Sequence, residues 1–179
     1  MRKVAGVLFT AAMVLPLAVM VSPAGSAAAK PTCKAASGTA AFTPPLPKVG
    51  DAALVKPTIK IAGKLTGCTG GGVTGATIAA TLKQAIAGNC STLLAGKTAN
   101  IAGTETLTWN TKATSTVALK LTGVTKKPTQ TSATGKVTKG LFVGGTQGGI
   151  TVFAPVAGGC TTAPLAKVTF KQQTAFTIK

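Results

Sequence analysis

Within GCTGGGVTGATI (67–78), Gly70, Gly72 and Gly75 stand at the G-x-G-x-x-G spacing that lets a backbone close on a phosphate. That chemistry needs a strand before the glycines, a helix after them and an acid about 20 residues on. Here the chain from Val73 alternates like a strand, and no acid lies between Asp51 and Glu105. AGKT (95–98) ends like a Walker loop, but Ser91 stands where the first glycine belongs. Neither stretch predicts a nucleotide, and no cofactor is expected. General acid–base catalysis draws on histidine or paired carboxylates. The chain has no histidine, and Asp51 and Glu105 are its only acidic side chains. Neither a G-x-S-x-G elbow nor an S-x-x-K pair supplies an activated nucleophile. These absences predict a protein that is not an enzyme, with no catalytic residues.

Cys33, Cys68, Cys90 and Cys160 are the remaining reactive side chains. A zinc site would want close spacing or histidine partners. No two of the four are close in sequence, so no metal is expected, and two disulfides are the default in an oxidising compartment. Two stretches share a pattern: GCTGGGVTGATI (67–78) and GCTTAPLAKVTF (159–170). Each opens Gly-Cys-Thr, with an aliphatic residue five after the cysteine (Val73, Leu165) and a large apolar one ten after it (Ile78, Phe170). Read as one device used twice, they give Cys68 and Cys160 equivalent parts in different halves. The pairing expected from this is Cys68–Cys90 and Cys33–Cys160.

The compartment follows from the first residues. Arg2 and Lys3 precede an apolar run, Val4 to Val21, and then SPAGSAAAK, which fits an A-x-A cut. Residues 1–29 are expected to be a signal peptide, cut between 26 and 29. Residues 30–179 would then be a single secreted, extracellular domain with a Pro-rich lead-in at 43–51 and no integral membrane segment. The full chain carries a net charge of +17. Without Arg2 and Lys3, 17 lysines face two acids, a net charge of +15. Lysine is a hydrated point charge, whereas arginine supplies the planar fork of base recognition. An arginine-free mature chain argues against sequence-specific nucleic-acid binding and leaves general attraction to polyanions.

Apolar residues recur with period two, which predicts strands. Ile59, Ile61 and Leu65 share a phase with Lys60 and Lys64 opposite; Val117, Leu119 and Leu121 do so with Lys120 opposite. Val137, Leu141 and Val143 form a third set opposite Lys136, and Lys139 breaks that pattern like a bulge or an edge. Ile150 and Val152 give a fourth, and Ala166, Val168, Phe170, Phe176 and Ile178 a fifth, with Lys167 and Lys171 opposite. Residues from Val73 to about Lys83 read as a further strand, and STLLAG (91–96) as one helical turn capped by Ser91. Trp109 shares a phase with Leu107 and reads as core. Asn89-Cys90-Ser91 fits a glycosylation sequon, which matters only in a eukaryotic secretory route. The fold expected is all-β: an antiparallel β-sandwich, Ig-like or related, with a closed up-and-down β-barrel as the alternative.

GKLTGCTGGGVTGATIAATLK, NCSTLL, LTWNTKATSTV, ATGKVTKGLFVGG and GGCTTAPLAKVTF together resemble small, uncharacterised exported proteins of actinobacteria. The resemblance covers most of the chain after residue 29 and implies export and a bacterial source, with no activity or site residues. Two functions are compatible with these features. The first is a non-enzymatic secreted domain whose lysine-rich surface meets anionic cell-envelope polymers or lipid surfaces. The second is a carrier of a small apolar ligand in an interior cavity.

Overall fold

The structure, a computed structural model, describes residues 29–94, 100–124, 127–155 and 159–179. Residues 1–28, on which the leader expectation rests, and 95–99, which hold AGKT, lie outside that description. The strands are β1 (Thr32–Leu46), β2 (Thr58–Thr69), β3 (Gly75–Gln84), β4 (Ile101–Trp109), β5 (Thr114–Val124), β6 (Lys127–Gly140), β7 (Thr146–Pro155), β8 (Leu165–Gln172) and β9 (Phe176–Ile178). One short helix, α1 (Cys90–Leu94), follows β3.

Each strand from β1 to β8 pairs antiparallel with the next, and β8 pairs back onto β1. The result is a closed eight-stranded up-and-down barrel and not a sandwich, because the hydrogen-bonded cycle leaves no second sheet. Period-two alternation gives one wet and one dry face in either architecture and does not encode closure. With eight strands the interior is just wide enough for side chains to fill. The short β9 continues the place of β8: it pairs with Thr32 and Cys33 of β1 and with Gln147 and Gly148 of β7, beyond the end of β8.

The expected phases of β2 and β5 hold. Ile59, Leu65, Val117, Leu119 and Leu121 are buried while Lys60, Lys64 and Lys120 are exposed. Val137 is buried, and the register slips between Val117↔Val137 and Thr116↔Lys139, so Thr138 is the extra residue of a bulge beside Lys139. Val143, expected in phase, lies in the following turn and is 64% exposed. In β7 the phase is the reverse of the expected one. Gln147, Thr151 and Phe153 line the interior, so Ile150 and Val152 face outward. At the start of β8, Leu165 and Val168 are buried and Ala166 is exposed, against the expected alternation. The cause is a bulge in β1, where the partners of β8 jump from Ala41 to Leu46 across Thr43-Pro44-Pro45. Residues 43–46 of the Pro-rich stretch thus end the first strand, and residues 47–51 lie in the loop that follows it.

Turn chemistry follows the glycines. Gly70, Gly71 and Gly72 all have positive φ, 88°, 64° and 69°, between β2 and β3. A Cβ would strain this backbone, so the apparent phosphate motif is hairpin geometry. Helix α1 is capped by Asn89 and not by Ser91: Thr92 N donates to Asn89 Oδ1 at 3.1 Å, and Asn89 N donates to Thr92 Oγ1 at 3.0 Å. Asn89 is buried, and its Nδ2 donates to the Asp51 carbonyl, so the sequon side chain is engaged.

The lumen is filled by two stacked apolar clusters. One, near the β2–β3 and β4–β5 turns, holds Leu65, Leu107, Trp109, Val117, Val137 and Phe176. The other, toward α1, holds Leu46, Leu82, Leu119, Leu121, Leu165 and Val168. Trp109 is core as expected, 1% exposed. Its Nε1 donates to Ser115 Oγ at 2.8 Å, and Phe142 meets its ring edge-on with centroids 5.3 Å apart.

Candidate functional site

The alternation that fills the lumen also puts the strand lysines outside: Lys34, Lys60, Lys64, Lys83, Lys120, Lys136, Lys139, Lys167 and Lys171 are all exposed. A lysine's long stem can cover apolar surface there while its ammonium stays in water. The register organises four of them. Ser37 on β1 faces Lys64 on β2 and Lys171 on β8, and Ala41 faces Lys60 and Lys167 in the same way. Neighbouring strands lie about 4.8 Å apart and residues rise about 3.3 Å each. The four lysines therefore mark the corners of a rectangle about 10 Å by 13 Å at Cα level. Inside it β1 shows only Ser37, Thr39 and Ala41, side chains too short to hide the ammonium groups. An open groove of about 700 Å³ runs from Lys167 past Thr39, Lys60 and Ala62 to Thr81 and Thr106, and no acid lines it. On this face exposed lysines stand on the outward side of β2 and β8, where a transmembrane barrel carries an apolar band. Among the described residues no helix is long and apolar enough to cross a membrane.

The two acids do not form a catalytic pair. Asp51 lies in the loop after β1, half-exposed. Glu105 is in the middle of β4, 4% exposed, and points into the lumen. Burial pushes its carboxyl from the ordinary 4.5 up to about 7, and a hydrogen bond from the Gln147 side chain pulls the other way. Glu105, Gln147 and Gln172 line a void of about 50 Å³ between the two apolar clusters. A second void, beside Phe42, Ile101 and Thr131, holds about 30 Å³. Sequence reasoning missed this polar layer. The signal was present, because Glu105 has the parity of Leu107 and Trp109 on one strand. Gln147 and Gln172 gave no such signal: the first precedes two glycines, and the second ends a strand.

The disulfides are Cys33–Cys68 and Cys90–Cys160, which corrects the expected Cys68–Cys90 and Cys33–Cys160. Cys33 and Cys68 are directly opposed in the β1–β2 register. Cys90 begins α1 and Cys160 lies in the loop before β8, both at the far end of the barrel. There the loop after β1 joins them: Val49 N donates to the Cys160 carbonyl and Cys90 N to the Pro47 carbonyl. Each expected pair would have had to span the barrel's length, about 30 Å along a ten-residue strand. The two Gly-Cys-Thr stretches thus sit at opposite ends in different roles. Two disulfides fit an oxidising, extracellular environment. No family model, curated protein or solved structure matches this chain.

Proposed function

We propose that the protein is a non-enzymatic, secreted domain that binds anionic cell-envelope polymers or lipid surfaces through the β8–β1–β2 face. The observation that carries this reading is the lysine rectangle Lys60, Lys64, Lys167 and Lys171 around a floor of small side chains. Point charges held on a rigid barrel at separations near the Debye length, about 10 Å at 0.1 M salt, act together on an extended polyanion and individually on a small anion. The absence of arginine after Arg2 fits attraction to charge without recognition of a particular sequence or planar group. An apolar carrier is less well supported, since voids of about 50 and 30 Å³ are far below the 300 Å³ or more of typical ligand pockets.

Sedimentation with vesicles of anionic or neutral lipid, at low and high salt, tests the proposal. The K60Q/K64Q/K167Q/K171Q variant is expected to lose most anionic-vesicle binding. The control K112Q/K120Q/K136Q/K139Q, with the same charge change on and around β5 and β6, should keep most of it. Equal losses from both variants would mean that net charge alone drives association. Binding indifferent to salt or lipid charge would sink the reading altogether.

A further inference from the structure

The polar layer inside the barrel has a mismatch between donors and acceptors. Glu105 Oε2, Gln147 Oε1 and Gln172 Oε1 are buried and have no hydrogen-bond partner among the described residues. Glu105 and Gln147 are each 4% exposed, so water outside the barrel does not serve them. All three atoms are acceptors, and all three residues line the same void of about 50 Å³. A buried acceptor without a donor costs about 1–3 kcal/mol, and more for a charged group. Among the described residues, no lysine or other titratable side chain besides Glu105 lines that void. In a chain of charge +17, no cation among the described residues lies beside the buried carboxylate.

The wall next to this layer is thin. Strand β8 ends at Gln172 and β9 begins at Phe176, so residues 173–175 interrupt the ladder opposite β7. Across the gap Ile150 N donates to Thr174 Oγ1, and Gln173 N donates to the Ile150 carbonyl. On β7 this stretch carries Gly148 and Gly149, with no side chains to fill it. A surface depression formed by Thr174, Thr177 and Lys179 shares Gln147, Gly148 and Gly149 with the interior void. Surface and lumen are thus separated by one strand's backbone and the Gln172 amide. A Cβ on Gly149 would fall 2.0 Å from Gln172 Nε2, so glycine is what lets that amide lie across the opening.

The geometry points to a lumenal site for a small monovalent cationic donor, an ammonium or short primary alkylammonium group, held by Glu105, Gln147 and Gln172 and reached through the β8–β9 gap. Such a group brings several N–H donors to atoms that lack them, and its charge offsets the buried carboxylate. An anion would meet the carboxylate. An apolar guest would leave the acceptors orphaned. A divalent ion prefers six or more oxygens and more than one carboxylate. The void admits a few water-sized groups and no more.

The test is titration of the protein with ammonium, methylammonium, potassium and tetramethylammonium chlorides at constant ionic strength and pH 8, followed by the side-chain amide resonances of Gln147 and Gln172. Saturable shifts are expected with ammonium and methylammonium and not with tetramethylammonium, which has no donors and greater bulk. Glu105→Gln should weaken the effect at least tenfold. Gly149→Ala, which keeps the carboxylate and displaces the Gln172 amide, should weaken it by less. No saturable shift with ammonium or methylammonium, or equal shifts in E105Q, would overturn the site and leave water and a proton as the partners of these acceptors. Saturation by potassium but not ammonium would overturn the assignment of a donor.

Discussion

Replacing Glu105 by Gln is expected to stabilise the protein at neutral and alkaline pH and to flatten its pH dependence. Glu105 titrates at about 7 when folded and near 4.5 when unexposed to that burial. Between those values the folded chain holds a proton that the unfolded chain has released, so stability falls as pH rises through this window. Below about 4.5 both states hold the proton; above about 7 neither does, and the full penalty applies. At about 1.4 kcal/mol per pH unit, the interval amounts to about 3 kcal/mol. In E105Q that penalty is absent, and the new amide adds donors among unpartnered acceptors. Urea unfolding at pH 4.5, 6.0 and 8.0, in a buffer whose only cation is tetramethylammonium, reads the effect. The wild-type midpoint should drop steadily across the series while that of E105Q stays level. In melting temperature the gap at pH 8 should be about 6–12 °C for a chain of this size. The chain offers unusually little interference, with no histidine and only one other acidic side chain. Parallel profiles for the two proteins between pH 4.5 and 8 would refute the reasoning and mean that the carboxylate is well solvated where it sits.

Two more outcomes follow from the packing. Non-reducing peptide mapping should recover Cys33–Cys68 and Cys90–Cys160, and removing the second pair as C90A/C160A should cost about 4 kcal/mol in denaturant unfolding, since it closes a 70-residue separation. Trp109→Phe should cost about 1–3 kcal/mol in the same measurement, through the lost hydrogen bond to Ser115 and the volume left unfilled in the turn-side cluster.

Much of the wall was readable from alternation, because Lys60, Lys64, Lys120 and Lys136 flag the wet side of their strands and Thr fills the rest. What alternation lacks is any mark of the partner strand. The contact that turns a meander into a barrel, Gly38 against Phe170, joins residues that nothing in the sequence relates. The reversed phase of β7 has a local cause. Gly148 and Gly149 carry no polarity signal, and the polar Gln147 and Thr151 face inward because the lumen there contains the Glu105 layer. The repeated Gly-Cys-Thr tripeptide points to the wrong disulfide pairing, because strand direction sends its two copies to opposite ends. The lysine rectangle was visible only as composition. Its corners come from three strands, and the register that aligns Lys64, Ser37 and Lys171 exists only after closure.

Closure also has a kinetic side. Seven of the eight wall contacts, from β1–β2 through β7–β8, join consecutive strands, while the eighth waits for β8 to find β1 across most of the chain. A contact of such separation carries the largest loop-entropy cost and forms late. Until then the open sheet presents two free edges, each a template for pairing with another molecule. Those edges carry Lys34 on β1 and Lys167 and Lys171 on β8, charges that oppose edge-to-edge association of like chains. The same ammonium groups that decorate the finished barrel thus guard the seam while it is still open, so lysine-to-glutamine variants on β8 should lower refolding yield even where they leave the folded protein's stability unchanged.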